Sequence, residues 1–295
     1  MACSRKAPQA RRIAFLQFDD QTGEKDQGWI SQAAPSIVAA ELATTPSRGV
    51  YAPEMRDAVA ARATHAVHGY YDKRGGRLHF EISLEDLSTH RSTVLTADGD
   101  LPVAATRLAL AIDATASPFG TTSPDAVAAW GKGEFQKAIE LDSGFGGAWL
   151  SWARASQPAE ATAIAERALA NKGLRSDVDR ARLTLLLATL RQDAPMRSRA
   201  LADLVKLVPP DAATSTAAAE SEFTLRRFAE AAELFAQAAK LDPDNANLLN
   251  LQGYAYAFAG NLEAARKAFE EYAARPGQEA NALDSLGEEI GRAHV

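Results

Sequence analysis

The 295-residue sequence has one cysteine, no excess of basic charge and no long apolar run. A single cysteine excludes an internal disulfide and a zinc site built from several cysteines. The apolar stretch at residues 183–190 is far shorter than the ~20 residues that cross a bilayer, so we predict no transmembrane segment. A formal net charge of -6 argues against a nucleic-acid partner, because nucleic-acid-binding surfaces normally carry a basic face.

The signatures of common enzyme classes are missing as well. The sequence has no P-loop, dinucleotide-binding glycine motif, nucleophile elbow or kinase motif. The histidines form neither a helical i, i+4 pair nor a cluster with carboxylates, so we predict no metal site and no cofactor. Asp19 and Asp20 follow a predicted strand and could serve a hydrolase, but a solvated turn is the favoured interpretation. We therefore predict that the protein is not an enzyme and has no catalytic residues.

What the sequence does contain is a repeat near its end. Residues 228–238 recur as residues 262–272, and the offset between Phe235 and Phe269 is 34 residues. A second set of landmarks has the same spacing: Leu249, Gln252, Gly253 and Tyr256 correspond to Leu283, Leu286, Gly287 and Ile290. A 34-residue period is typical of stacked pairs of antiparallel helices, which bury their apolar faces only against neighbouring pairs.

The landmarks of this repeat resemble the tetratricopeptide (TPR) family. The family series of Leu or aromatic, Gly, Tyr, Ala, Phe, Ala and Pro is matched except at Gln252, Tyr272 and Pro276, the last arriving one residue early. We predict an all-α TPR solenoid over residues 119–295, with about four hairpins from Pro124 onward and a final helix at residues 280–292. A Pro/Gly/Ser/Thr cluster at residues 117–124 predicts the boundary that precedes it.

The preceding part of the chain predicts an α+β domain. The pattern over residues 12–118 reads strand, helix, strand, helix, three strands and helix, which describes a small αβ sandwich with an antiparallel meander. It resembles the N-terminal domain of TolB-like proteins in three segments, namely residues 13–23, 64–70 and 78–84. The resemblance covers about residues 12–116, although the stretch between the second strand and second helix is short. It implies an α/β domain of the kind often followed by TPR repeats.

Residues 1–11 predict a disordered lead-in, since they are rich in basic residues and poor in apolar ones. Cys3 follows a small residue and precedes a polar segment, which looks like the mature start of a bacterial lipoprotein. Lipidation of Cys3 would place the protein in the periplasm or envelope, and a cytoplasmic location applies if the cysteine is incidental.

The resemblance to TPR proteins also implies a binding groove. In such arrays the first helices of the hairpins line a concave surface, whose exposed residues contact a peptide. Chaperone-binding members hold a terminal carboxylate with basic residues, whereas only one basic residue occurs at these positions here. The predicted groove residues are Arg182, Leu186, Thr216, Glu220, Phe223, Asn247, Asn250, Tyr254, Phe258, Asn281, Asp284 and Glu288.

Two functional hypotheses follow. The first is a non-enzymatic scaffold, in which the TPR groove binds a peptide or protein partner of basic or neutral character. The second is the regulatory or sensor region of a larger bacterial signalling protein containing a kinase or cyclase, or an envelope lipoprotein adaptor. A signal peptide ending at Cys3 would favour an envelope scaffold, and an upstream catalytic domain would favour the regulatory region.

Overall fold

The computed structural model describes residues 11–278, and these form two compact units that divide between Arg180 and Ala181. The lead-in up to residue 10, Cys3 and the final helix predicted at residues 280–292 lie outside the described residues. Strand β1 nevertheless begins at Arg11, the last residue assigned to the lead-in. No helix within residues 11–278 is long and apolar enough to span a membrane.

A mixed sheet is the base of the first unit. Its strand order is β3-β1-β4-β5-β6, with β2 also paired to β4. Strands β3, β1 and β4 are parallel, whereas β4, β5 and β6 form the predicted antiparallel meander. The strands are β1 (Arg11–Phe15), β2 (Asp19–Asp20), β3 (Ser47–Tyr51), β4 (His65–Arg74), β5 (Arg77–Asp86) and β6 (Arg91–Gly99).

Three helices complete this α/β layer: α1 (Ile30–Glu41), α2 (Met55–Ala60) and α3 (Leu101–Ile112). Helices α1 and α3 pack together over one face of the sheet, where Phe15, Tyr71 and Phe80 are buried in the main core. Helix α2 covers a small cluster of alanines that includes Ala14 and Ala58. The apolar residues of β5, which alternate with polar ones, lie in the main core or pack against it, as expected for a strand with one polar face.

The sequence also predicts element ends that the structure corrects. It predicts a first strand that continues to Phe18 and a second helix that runs to Ala63, whereas the strand ends at Phe15 and the helix at Ala60. It predicts a turn over residues 72–76, whereas the turn is confined to Gly75 and Gly76, which both have positive φ. Strand β4 therefore runs on to Arg74, because two glycines in the left-handed region suffice for a two-residue hairpin.

The first unit also contains helices beyond residue 118: α4 (Pro124–Gly131), α5 (Phe135–Leu141), α6 (Gly146–Ala155) and α7 (Pro158–Ala170). Helix α4 contacts α1 and α3. Phe119 packs edge to face against Trp130 and Phe145, with ring centroids 4.9 and 5.2 Å apart. The compact unit thus extends past the boundary predicted at residue 118, and the division into functional domains stays a prediction.

The second unit contains only helices among its described residues. Helix α8 (Asp177–Arg191) runs into it, followed by α9 (Ala194–Leu207), α10 (Ala212–Thr224), α11 (Phe228–Leu241), α12 (Asn247–Phe258) and α13 (Leu262–Ala273). Three tight turns join α8 to α9, α10 to α11 and α12 to α13. Each turn has one residue with positive φ, and these residues are Gln192, Arg226 and Gly260. They are spaced by 34 residues, so the predicted period is confirmed and extends back to α8.

Within residues 11–278, ten helices follow α3 in chain order, and the number of hairpins in the predicted array stays a prediction. Successive helices pack together as α4 with α5, α6 with α7, α10 with α11, and α12 with α13, and a tight turn joins α8 to α9. A loop of only two residues, Ser156 and Gln157, joins α6 to α7.

Candidate functional site

The predicted groove residues that the structure describes lie on the first helices of the pairs in the second unit. Arg182 and Leu186 lie on α8, Thr216, Glu220 and Phe223 lie on α10, and Asn247, Asn250, Tyr254 and Phe258 lie on α12. Asn281, Asp284 and Glu288 are outside the described residues.

Two of these residues come together in an aromatic cluster at the hairpin tips. Phe223 packs edge to face against Phe258, with ring centroids 5.6 Å apart. Phe228 joins them, at 5.1 Å from each of the other two rings, and stacks on Phe258 with an interplanar angle of 28°. Phe258 remains 46% exposed, and Leu262 beside the same turn is 48% exposed. We call Phe223, Phe228 and Phe258 the aromatic trio.

The backbone turns place the trio. Helix α10 ends at Thr224, and Arg226 follows in the left-handed region, at φ 59°. The Arg226 amide donates to the Phe223 carbonyl at 3.0 Å, and the Arg227 amide donates to the Glu222 carbonyl at 2.9 Å. These paired bonds are the Schellman motif, which closes a helix within one turn. Phe228 therefore begins α11 directly beside the end of α10.

A polar network fixes the other side of the same tip. The Ser198 hydroxyl of α9 donates to one carboxylate oxygen of Glu222, and the Arg227 guanidinium contacts the other oxygen at 3.1 Å. The Glu222 side chain is only 12% exposed, whereas that of Arg227 is 54% exposed. Both carboxylate oxygens therefore have partners, and the network holds the backbone directly before Phe223 and directly before Phe228.

Tyr254 has a structural role in addition to its predicted one. Its ring packs edge to face against Phe269 of α13, with centroids 5.3 Å apart. Phe269 is buried and also lies against Gly253, where an added Cβ would come within 2.5 Å of the ring. Tyr254 is half-buried, so part of its surface faces solvent. Replacing Tyr254 will therefore change stability as well as any contact with a ligand.

The polar groove residues differ in exposure. Glu220 and Asn247 are exposed, while Arg182, Thr216 and Asn250 are partly buried. Glu220 is thus a carboxylate open to solvent about one helical turn before Phe223. The result is a surface that combines an exposed acidic group with an apolar cluster.

A cavity of about 630 Å³ in the first unit offers a rival site. Thr121, Asp142 and Arg175 are among its lining residues. The Thr121 hydroxyl donates to Asp142 at 2.6 Å, and Arg175 donates to Asp142 and to the Gly120 carbonyl. Partial burial raises the pKa of Asp142, but the hydrogen bonds and the charge of Arg175 together outweigh it and hold the pKa below its usual value. The charged groups of this cavity therefore serve to join the segment after residue 117 to α5.

The structure gives Asp19 and Asp20 the surroundings of a turn. Both are exposed and form the short strand β2. The Asp20 carboxylate accepts hydrogen bonds from the Thr22 amide at 2.8 Å and the Thr22 hydroxyl at 2.7 Å. Slight desolvation raises the pKa of Asp20, but these hydrogen bonds outweigh it and leave the pKa below its ordinary value. Such a carboxylate is a weak base, which suits a turn cap better than proton transfer.

Three of the described histidines have local partners. His79 is buried, and its Nδ1 lies 2.8 Å from the Asp98 carboxylate. His65 contacts Thr64, and His90 contacts Glu85. In residues 11–278 no group of three or more His, Cys, Asp or Glu side chains is placed to hold a metal ion.

Phe228 is the member of the trio that sequence reasoning did not assign to the groove. The prediction considered only first helices, and Phe228 begins a second helix. The sequence signal that could have found it is the short segment between Phe223 and Phe228, which must turn sharply and so brings the two rings together.

Comparisons with known proteins bear on the fold only. No family model matches the chain, and no curated protein matches it in sequence. A solved structure of YrrB, described as a TPR protein with an unusual peptide-binding site, is 19% identical, with a TM-score of 0.43. The matched region covers 60% of this chain and 95% of the YrrB chain.

A mutant of MamA is 19% identical to this chain, with a TM-score of 0.40. The matched region covers 50% of this chain and 91% of the MamA chain. A PelC dodecamer from Paraburkholderia phytofirmans covers 35% of this chain and 88% of its own, at 23% identity and a TM-score of 0.27. The helical part is TPR-like. The turns of its hairpins in the second unit are spaced by 34 residues, which is the period of that repeat.

Proposed function

We propose that this protein is a non-enzymatic scaffold whose TPR-like repeats bind a peptide or protein segment, with the aromatic trio as the apolar anchor. The observation that carries the proposal is the half-exposed Phe258, held by two other aromatic rings at the hairpin tips. Rigid aromatic anchors with pre-formed surroundings contribute most of the binding energy at many interfaces.

The partner that fits best is a segment with a large apolar side chain and a basic or neutral flank. The apolar side chain would cover Phe258 and Leu262, which are exposed apolar residues at this tip. Glu220 is exposed on the helix that carries Phe223 and would favour a cation over an anion. Asn250 carries an amide, a group that can bond both the donor and the acceptor of a peptide backbone.

A peptide-display experiment tests the proposal with the 295-residue chain. Peptides selected from a random library on the immobilised protein are measured for binding to the wild type and to Phe258→Ala. We expect at least a tenfold loss of affinity in the variant, because anchor residues typically contribute about 2 kcal/mol or more, roughly 30-fold. Leu207→Ala is the matched control, since Leu207 is 40% exposed at the end of α9, away from the trio.

Two outcomes would overturn the proposal. One is the absence of any selected peptide that binds the wild type reproducibly. The other is a set of peptides that bind Phe258→Ala and the wild type equally while Leu207→Ala is also unchanged.

The N-terminal part of the chain is proposed to be an attached TolB-like domain, on the support of its strand and helix order. Anchoring through a lipid at Cys3, and membership of a larger signalling protein, remain predictions from the sequence. Mass spectrometry of the protein expressed in a bacterial host from its natural gene would test the lipid.

A further inference from the structure

Strand β6 is an open edge of the sheet in the first unit. It is the last strand in the sheet order and pairs, among residues 11–278, with β5 only. It is nine residues long, and the run Arg91–Val94 and Thr96 are exposed. Alternate residues of an edge strand direct their backbone N–H and C=O groups away from the sheet, so β6 offers a row of hydrogen-bonding groups to another strand.

The opposite edge is protected and β6 is not. Strand β3 has only five residues, lies between Pro46 and Pro53, and contains Arg48. Short length, proline and charge are the usual means by which proteins prevent pairing at an edge. The central part of β6, residues 92–97, has no proline, no glycine and no charged residue. It is instead rich in β-branched side chains, which favour strand pairing.

We propose that β6 pairs with β6 of a second copy of this chain, in antiparallel orientation about a two-fold axis, so that two sheets become one. In the register we infer, Leu95 lies opposite Leu95 of the other copy. Val94 then lies opposite Thr96, and Ser92 lies opposite Asp98. This pairing keeps Leu95 and Ala97, which belong to the core side of β6, on the helix-covered face of both sheets.

Charge and shape in this register favour a second copy as the occupant. The two charged residues of the strand meet uncharged partners, since Arg91 lies opposite Gly99 and Asp98 lies opposite Ser92. The Ser92 hydroxyl can donate to the Asp98 carboxylate, which is 61% exposed and also hydrogen-bonds to His79. Val94, also 61% exposed, gains a β-branched neighbour in Thr96.

One end of the strand limits the pairing. The Asp98 carbonyl accepts a hydrogen bond from the Arg107 guanidinium of α3 at 2.6 Å. The backbone bonds of the new pair are therefore centred on residues 93–97, and Asp98 contributes its side chain. This interface is separate from the aromatic trio, so either proposal can fail without the other.

The test uses the 295-residue chain in sedimentation equilibrium over a range of concentrations. The wild type is expected to approach twice the chain mass of 31.4 kDa. Val94→Lys/Thr96→Lys creates two pairs of opposed lysines across the dimer, because each residue 94 lies opposite residue 96 of the other copy. It is expected to weaken the dimer roughly tenfold to thirtyfold. Val94→Lys/Thr96→Glu places each lysine opposite a glutamate and should restore an affinity near that of the wild type.

The two double variants distinguish the inferred register from any other contact that involves residues 94 and 96. Val59→Lys is the control for added charge, because Val59 is 68% exposed on α2. Circular dichroism and the melting temperature check that each variant is folded. A wild type that stays monomeric up to its solubility limit would overturn the proposal. Equal weakening by both double variants would also overturn it, because residues 94 and 96 would then not lie opposite each other in the dimer.

Discussion

Phe228 stacks on Phe258 with ring centroids 5.1 Å apart, although the two residues belong to neighbouring helix pairs. Phe228 begins α11, and Phe258 ends α12. Contacts of this kind are what a repeat array requires, since each pair buries its apolar face only against the next. The same contact leaves one face of Phe258 in solvent, and it thereby connects the stability of the array to the proposed binding surface.

The first prediction separates these two roles. Phe258→Ala should lower the free energy of unfolding by only about 1–2 kcal/mol, because the side chain is already 46% exposed, and should still weaken peptide binding at least about tenfold. Phe235→Ala should cost about 3–5 kcal/mol, since Phe235 is 1% exposed in the core. Urea denaturation and peptide titration measure the two quantities. A loss of stability in Phe258→Ala as large as in Phe235→Ala would contradict the division of roles.

The second prediction concerns the turn that positions the trio. Arg226 has φ 59°, a conformation in which a side chain costs about 1–2 kcal/mol and glycine costs nothing sterically. After the greater flexibility of glycine in the unfolded chain is subtracted, Arg226→Gly should raise the unfolding free energy by about 0.5–1 kcal/mol. Arg226→Ala, which removes the same charge and keeps Cβ, should show no such gain. Chemical denaturation of both variants measures their unfolding free energies.

The positions of these turns show what the sequence can and cannot predict. Gly260 is of a residue type that commonly follows the end of a helix, so the sequence predicts where α12 ends. The recurrence of Phe235 as Phe269 predicts the packing of two helix pairs. Arg226 and Gln192 take the equivalent left-handed conformation, yet neither residue type signals it. The period is therefore hard to see before residue 212, even though the structure continues it. Tertiary contacts hold these turns where local preference does not.

The candidate site likewise combines contacts that the sequence predicts with contacts that it does not predict. The groove pattern implied by the resemblance to TPR proteins assigns Phe223 and Phe258 to one surface. The contribution of Phe228 depends on the tightness of a turn, and the packing of Tyr254 on Phe269 depends on how far two helices approach. Such distances are set by side-chain packing across the pair, which a periodic pattern does not encode.

The third prediction tests that close approach. A Cβ at position 253 would lie 2.5 Å from the ring of Phe269, which is buried and has little room to move. Gly253→Ala should therefore destabilise the protein by about 1–3 kcal/mol, despite the higher helix propensity of alanine. In a protein that already carries Phe269→Leu, adding Gly253→Ala should lower the free energy of unfolding by less than it does in the wild type. Gly28→Ala, with nothing within 4 Å of the added Cβ, is the control that should change little.

The fourth prediction follows from Glu41, which ends α1 and is 1% exposed. Its Oε1 accepts hydrogen bonds from the Thr106 hydroxyl at 2.7 Å and the Phe119 amide at 3.0 Å. Its Oε2 is buried and has no hydrogen-bond partner among the described residues. Desolvation therefore raises the pKa of Glu41 to about 7, against the opposing effect of the two hydrogen bonds.

A raised pKa in the folded state means that folding stabilises the protonated carboxyl group. The contribution is complete below the unfolded pKa of about 4.5 and is lost as the pH rises through about 7. Over that range the free energy of unfolding should fall by about 3 kcal/mol from this group.

Glu41→Gln keeps an oxygen acceptor for Thr106 and Phe119 but does not ionise. Its unfolding free energy should lack this decline, so the variant should exceed the wild type most clearly above pH ~7. Glu220→Gln, at an exposed position, should retain the wild-type pH dependence. Parallel pH profiles for the wild type and Glu41→Gln would show that folding does not raise the pKa of Glu41, and would contradict the prediction.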